Sequence, residues 1–278
     1  MGKADKIFQD NIRDILLAGS WDENPRPRYK SDGAPAYSKF ITQVWEKYAV
    51  GAGETPITEL REIFIDKAIR ETCWIYQDQT SELSVLKDKH GIHWWDAWDI
   101  GDGTIGQRYG ATVSRYDLMN KLLKGLKEDP FSRRHIINLW QEKDFEETDG
   151  LPPCAFQTKW SVRKINGEYY LDCTLNQRSS DYLVAGHINM IQYVALQMMV
   201  AHDCGYKVGN FARETQNLHI YDRHIEQAKE LLNRESPNSN PQLILKADGK
   251  SFYDITADDF ELINYNPIKP QLKFDLGI

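Results

Sequence analysis

Trp160-Ser161-Val162-Arg163-Lys164-Ile165-Asn166-Gly167-Glu168-Tyr169-Tyr170-Leu171-Asp172-Cys173-Thr174-Leu175 reads as two strands joined by a tight turn. Asn-Gly is favoured in two-residue hairpins because both residues readily take positive φ, and the flanking runs are rich in aromatic and β-branched side chains. With Ile165 and Glu168 flanking the turn, strict pairing carries Cys154 opposite Ser179 and Ala155 opposite Arg178. A bulge would slip this by a residue or two without separating the two segments. The hairpin therefore brings a cysteine, preceded by Leu151-Pro152-Pro153, beside an arginine. A guanidinium near a thiol favours the thiolate, which makes Cys154 a candidate nucleophile. Spacing alone leaves open a structural cysteine beside a solvated arginine.

Working outward, Ala4, Ile7, Phe8, Ile12, Ile15 and Leu16 have the spacing of an amphipathic N-terminal helix. A polar stretch from Asn24 to Pro35 precedes a strand-like run over Phe40 to Trp45, and a helix is expected from about Asp66 to Gln77. A longer helix, Ile188 to His202, is apolar nearly all round and ends before Gly205, which predicts a central buried helix. Its polar breaks Asn189, Gln192 and Gln197 argue against a membrane span. Ser236 to Pro241 reads as a loop, and neither a repeat nor a linker divides the chain. The expectation is one α+β domain over residues 1–278, a mixed β-sheet packed with helices.

The composition bounds the function. Thirty-four basic residues against 41 acidic ones leave a net charge of -7, so general nucleic-acid or anionic-membrane binding is not expected. An anionic ligand must be met by a local arginine cluster. The N-terminal segment lacks a signal-peptide core, which predicts a cytoplasmic protein, and Lys6 occupies the place where the Met1-Gly2 opening would need Ser or Thr for lipidation. Cys73, Cys154, Cys173 and Cys204 show no C-x-x-C spacing, so neither a disulfide framework nor a metal site is expected. Cys73 and Cys173 lie in apolar-patterned elements and read as small buried hydrophobes.

Leu151-Pro152-Pro153-Cys154-Ala155-Phe156, followed by Gln177-Arg178-Ser179-Ser180-Asp181, resembles the active-site segment of thymidylate synthases. Glu71 with Trp74, Trp95-Asp96-Ala97-Trp98, Gly106-Gln107-Arg108-Tyr109-Gly110, Ser132-Arg133-Arg134, Asn189, and Asn217-Leu218-His219-Ile220-Tyr221 recur in that family's order. The resemblance covers nearly the whole chain. It implies reductive methylation of dUMP to dTMP with 5,10-methylenetetrahydrofolate as donor and reductant, with no metal, flavin or nicotinamide. It also implies a homodimer packed sheet to sheet.

Carried over by residue, the resemblance makes Cys154 the nucleophile that adds to carbon 6 of the uracil. Glu71 would organise proton transfers at the base, and Tyr109 would assist removal of the proton at carbon 5. Arg178, Asn189 and Asp181 complete the catalytic group. The resemblance gives the phosphate to Arg178, Ser179, Arg26 and the Arg133-Arg134 pair, the last two from the other subunit; Arg28 is an alternative to Arg26. Gln177, Asp181 and Asn189 line the nucleotide, while His219 and Tyr221, two apart on a strand, face the deoxyribose 3'-hydroxyl. Trp95, Leu151, Asp181, Ile188 and Gly277 are implied on the folate side. A deoxycytidylate/deoxyuridylate hydroxymethylase is an alternative; Asn189 offers both an acceptor and a donor, as uracil requires, which disfavours its deoxycytidylate form. A non-catalytic nucleotide- or RNA-binding relative is a third alternative, disfavoured by Cys154, Arg178 and Glu71.

The chain departs from the common family pattern at Ala155, where His is frequent, at His187-Ile188 before Asn189, at Ala185-Gly186, and at Gly277. These changes fall mostly on the folate side. Gly277 predicts a looser C-terminal tail, because glycine loses more freedom on ordering.

Overall fold

The computed structural model describes residues 2–278; the Met1 half of the Met1-Gly2 opening lies outside them. In chain order the elements are α1 (Lys3–Ala18), β1 (Ser20–Trp21), β2 (Ser38–Tyr48), α2 (Ile65–Cys73), α3 (Leu83–Asp88), α4 (Gly110–Arg115), α5 (Leu118–Glu128), β3 (Ile136–Asn138) and α6 (Glu142–Glu147). They continue through β4 (Ala155–Ile165), β5 (Glu168–Gln177), β6 (Ser180–Asp181), α7 (Gly186–Cys204), β7 (Lys207–Tyr221), α8 (Ile225–Asn233), β8 (Gln242–Leu245) and β9 (Phe260–Ile263). One mixed sheet runs β1-β2-β7-β5-β4-β3, with β6 also paired to β7, and β8-β9 forms a separate hairpin. This is the expected α+β architecture.

Asn166 (φ 51°) and Gly167 (φ 89°) make the turn between β4 and β5. The pairing is the expected one from Ile165↔Glu168 down to Gln157↔Asn176. There a bulge at Phe156 intervenes and the register becomes Ala155↔Gln177. The strict expectation is thus corrected by one residue: Cys154 faces Arg178, whose backbone N–H donates to the Cys154 carbonyl at 3.0 Å. The slip moves the arginine onto the nucleophile rather than away from it.

The strand expected over Phe40 to Trp45 is longer, Ser38–Tyr48, because its full length pairs with β7. The helix expected from Asp66 to Gln77 keeps α geometry only to Cys73 and finishes in a π-helical turn, Trp74–Asp78. Single π-turns often accompany functional sites, because they re-aim the following side chains. Here the turn buries Trp74, Ile75 and Tyr76 together.

Helix α7 is central, as its all-round apolarity predicts: Met190, Ile191, Val194, Leu196, Met199 and Val200 are fully buried. Each such side chain contributes about 1.5–3 kcal/mol relative to exposure. A polar group on so dry a helix must find partners or cost about 1–3 kcal/mol. Gln197 donates to the carbonyls of Leu171 (2.8 Å) and Asn210 (2.9 Å), tying the helix to β5 and β7. Gly205 (φ 69°) closes the helix in the left-handed conformation. No helix among the described residues is long and apolar enough to cross a membrane.

The C-terminal tail is paired. Arg28 N–H donates to Ile278 O and Ile278 N–H to Arg28 O, each at 2.8 Å, and Lys30 N–H donates to Leu276 O at 2.8 Å. A Cβ on Gly277 would lie 2.8 Å from Cζ of Tyr221, so the glycine lets the tail lie against that ring. Beside the entropy that ordering Gly277 costs, the missing side chain at this position permits close packing.

Candidate active site

The Phe156 bulge ends β4 and leaves Cys154 at its mouth, partly accessible, between Pro153 and the buried Ala155. Arg178 curls over the same corner. Its Nη2 donates to Pro152 O at 2.7 Å and its Nε to Pro153 O at 3.1 Å, so the guanidinium is fixed by the Pro-Pro segment. Burial raises the Cys154 thiol above its ordinary value, while Arg178 and then Arg26 pull it down. Arg178 alone would favour the thiolate, as expected from its place beside Cys154. The net direction is upward, because loss of water around a thiolate outweighs two nearby cations whose donors partly serve other groups.

Tyr109 stands on the other side of the thiol. Its hydroxyl accepts the Cys154 N–H at 3.0 Å, and its backbone (φ 46°, ψ -108°) lies in a region that a tyrosine seldom adopts. The ring meets Trp95 edge-on at 5.3 Å, and Trp95 in turn meets Trp98 at 5.4 Å. Burial holds the Tyr109 hydroxyl well above its ordinary pKa, so it is a neutral phenol.

Glu71, on α2, is buried as expected of a helix face with apolar neighbours. Two indoles hold its carboxylate: Trp94 Nε1 donates to Oε2 at 2.5 Å and Trp95 Nε1 to Oε1 at 2.9 Å. Burial raises its pKa, opposed by the donor groups of Trp95, Gln192 and Trp94. A buried carboxyl whose pKa is raised and whose oxygens are held by donors is suited to proton exchange. Trp95 therefore contacts the Glu71 carboxyl, a contact that its sequence reading toward the folate did not include. Trp94 was missed altogether, although its adjacency to Trp95 was a signal.

Asn189 lies in the first turn of α7. Gln177 Nε2 donates to its Oδ1 at 3.0 Å, and its Nδ2 donates to Gln192 Oε1 at 2.9 Å. His219 faces Asp181 across the β6-β7 ladder, with its Nδ1 3.0 Å from Asn217 Oδ1 and 3.5 Å from Ser179 Oγ. Burial lowers the His219 pKa, with Asp181 opposing. Tyr221 packs edge-on against His219 at 5.1 Å and touches the tail at Gly277.

A cleft of about 490 Å³ opens here, lined among others by Arg26, Trp98, Trp140, Leu151, Arg178 and Ile278. Its two guanidiniums suit an anionic group, and the indoles and aliphatic chains suit a flat apolar ring system. Of the two sequence candidates, Arg26 lines this cleft, whereas Arg28 is engaged through its backbone with the C-terminus. Ile188 packs at the edge of the core. Arg133 and Arg134 do not join the site. They are exposed in the turn before β3, beyond Ile136, whose partner on β4 is Lys159. Lys159 is five steps along the strand from Cys154, roughly 17 Å at about 3.3 Å per residue, beyond the reach of an arginine side chain. A hollow of about 430 Å³ beside Lys124, Lys127 and Tyr253 holds no nucleophile, and Lys127 there is paired with Asp203 at 2.7 Å.

The other thiols are inert by placement: all four cysteines are free, and burial pushes Cys73 and Cys204 up to about 12 and Cys173 well above its ordinary value. Among the described residues no group of three or more His, Cys, Asp or Glu side chains is arranged to hold a metal ion.

A thiol framed by cations, a neutral phenol, a buried carboxyl and an oriented carboxamide is equipped for nucleophilic catalysis on an anionic heterocycle. Comparison with known proteins agrees. The family model described as thymidylate synthase matches residues 6–278. A thymidylate synthase of Streptococcus pneumoniae (strain 70585) is 57% identical over 280 residues, covering all of both chains. That of Streptococcus sanguinis (strain SK36) is 56% identical over the same extent. The solved structure of thermostable thymidylate synthase A from Bacillus subtilis superposes with a TM-score of 0.89 at 33% identity, covering 99% of each chain. The chain belongs to the thymidylate synthase family. It is a methyltransferase of that family, whose reaction converts dUMP to dTMP with 5,10-methylenetetrahydrofolate as co-substrate.

Proposed function

We propose that this reaction runs through a covalent adduct between Cys154 Sγ and carbon 6 of the uracil. The observation that carries the reading is the corner where Arg178 is fixed over Cys154 while the Tyr109 hydroxyl accepts its backbone N–H. Addition of the thiolate moves electrons toward O4 and leaves carbon 5 nucleophilic. 5,10-Methylenetetrahydrofolate supplies the one-carbon unit and a hydride, leaving as dihydrofolate. Glu71 manages protons at the base, Tyr109 assists loss of the carbon 5 proton, and Cys154 departs as thiolate when the product forms.

Arg26, Arg178 and Ser179 receive the phosphate, Gln177, Asp181 and Asn189 the base region, and His219 and Tyr221 the sugar. Trp95, Leu151, Asp181, Ile188 and Gly277 take the folate side. Residues 1–278 act as one domain in a homodimer, with Arg133 and Arg134 reaching the partner's phosphate. Two observations support the dimer: those arginines make no ion pair among the described residues, and the sheet strands leave Trp45, Ile136 and Ile165 exposed. Four free cysteines fit a cytoplasmic location.

Turnover of purified protein with dUMP and methylenetetrahydrofolate tests the reading. Equal yields of dTMP and dihydrofolate are expected, with Cys154→Ser inactive. Hydroxymethylated nucleotide without dihydrofolate would contradict it.

A further inference from the structure

Resting on the reading that Asn189 recognises the base, we propose that Gln192 is a positioning residue for base selection. It fixes which way round the Asn189 carboxamide lies, in a hydrogen-bond relay of one polarity that begins at Arg213 and ends with a free Gln192 donor on the side of Glu71.

The relay starts with a group that can only donate. Arg213, on β7, is fully buried; its Nε donates to Glu46 Oε2 at 2.6 Å and its Nη1 to Gly186 O at 2.9 Å. The same Nη1 reaches Gln177 Oε1 at 3.4 Å. The oxygen of Gln177 must therefore face Arg213, which turns its nitrogen toward Asn189 Oδ1. Asn189 is oriented in turn, and its nitrogen donates to Gln192 Oε1. That leaves Gln192 Nε2, a buried donor with no hydrogen-bond partner of its own. Gln192 sits beside α2, where Thr72 Oγ1, next to Glu71, donates to its backbone carbonyl at 3.3 Å. Its amide is near enough to help hold the Glu71 carboxyl down. An ionised carboxylate can only accept, so the relay runs from a donor-only group and leaves its last donor on the side of an acceptor-only one.

The consequence lies in what Asn189 has left. One lone pair on Oδ1 and one hydrogen on Nδ2 are unspent, an acceptor beside a donor, matching N3–H and O4 of uracil. Flipped, the carboxamide would set its nitrogen against Gln177 Nε2 and its oxygen against Gln192 Oε1, two like-polarity contacts in a buried site. An asparagine is free to read cytosine by flipping; the two flanking glutamines forbid it. Gln192 stands three residues after Asn189 on one helix, the spacing that brings both to the same face.

The test compares calorimetric binding of dUMP and dCMP to the intact enzyme and to three variants, with thermal melts and turnover alongside. Gln192→Met removes both ends of the link, and the preference for dUMP over dCMP is expected to fall about tenfold, mostly through weaker dUMP binding. A folded Gln192→Met that keeps the preference within about twofold would overturn the proposal. Gln192→Glu keeps the acceptor for Asn189 but replaces the donor facing Glu71 with a like charge. It is expected to keep the preference and the KM for dUMP while kcat falls at least tenfold. Loss of the preference in Gln192→Glu would also overturn the proposal, and it decides the matter where Gln192→Met does not fold. Asn189→Asp separates the two layers: if that variant still prefers dUMP, the base-reading role of Asn189 fails; if it loses the preference while Gln192→Met keeps it, the relay alone fails.

Discussion

The backbone N–H of Cys154 donates to the Tyr109 hydroxyl at 3.0 Å, so the residue expected to take part in proton removal also holds the nucleophile's main chain. Tyr109→Phe leaves that N–H without its acceptor and removes the phenol that bonds the Cys154 backbone. Because positioned proton transfer contributes roughly 10²–10⁴-fold, kcat is expected to fall by about 10² or more. Release of tritium from [5-³H]dUMP should slow by the same factor, while binding of dUMP changes little. Tritium release at the parental rate would remove Tyr109 from the proton step.

Gly277 and Tyr221 make a steric prediction. An alanine Cβ at position 277 would meet the Tyr221 ring at 2.8 Å, and the tail around it is anchored by the Arg28–Ile278 pair. Gly277→Ala is expected to raise the KM for methylenetetrahydrofolate severalfold and to expose the tail to carboxypeptidase. Gly277→Ala combined with Tyr221→Phe should not restore the parent, because the ring carbon and not only the hydroxyl is in the way. An unchanged KM and unchanged digestion would show that the tail accommodates the methyl.

His187 gives the fold an acid sensitivity of defined sign. It is buried against Phe8 and Tyr182, with Nδ1 3.1 Å from the Pro56 carbonyl oxygen and Nε2 unpartnered. Burial lowers its pKa from 6.5 to about 3, with Arg213 and Arg61 adding to the effect and the Pro56 bond opposing it. Below its ordinary value the unfolded chain takes up a proton that the folded chain refuses. The stability is therefore complete above the unfolded pKa and lost as pH falls toward 3, by about 1.4 kcal/mol per unit from this group. The Tm is expected to drop between pH 6.5 and 4, less steeply in His187→Gln. Identical slopes in parent and variant would assign the acid sensitivity to other groups.

If Arg133 and Arg134 act across a dimer, two inactive variants should rescue each other. Arg133→Ala mixed with Cys154→Ser after reversible denaturation is expected to regain up to about a quarter of parental activity, from heterodimers with one intact site. Native mass spectrometry confirms that mixed dimers form. Mixed dimers without activity would place the arginines outside the site.

Much of this site was legible because it depends on local chemistry. Asn166-Gly167 set a register that holds to Gln157, and the apolar rows of α1 and α7 marked their buried faces. The bulge at Phe156 was not legible, since the extra residue is accommodated where β4 leaves the ladder and no turn residue signals it. Nor was the Trp94-Trp95 grip on Glu71, which joins segments about two dozen residues apart through tertiary packing. The buried Glu46–Arg213 pair was equally hidden, because a charge within a strand normally reads as its solvent face. Gln192 was visible as a polar residue on an apolar helix, but only the contacts on either side show what it does.

The central claim is the covalent role of Cys154, and mass spectrometry of protein incubated with 5-fluoro-dUMP and methylenetetrahydrofolate tests it most directly. Fluorine cannot leave carbon 5 as a proton, so the reaction should stop with nucleotide and folate both attached. The account predicts that adduct on the Cys154 peptide of the parent protein and none in Cys154→Ser. A folded parent that forms no adduct, or an adduct that persists in Cys154→Ser, would contradict it.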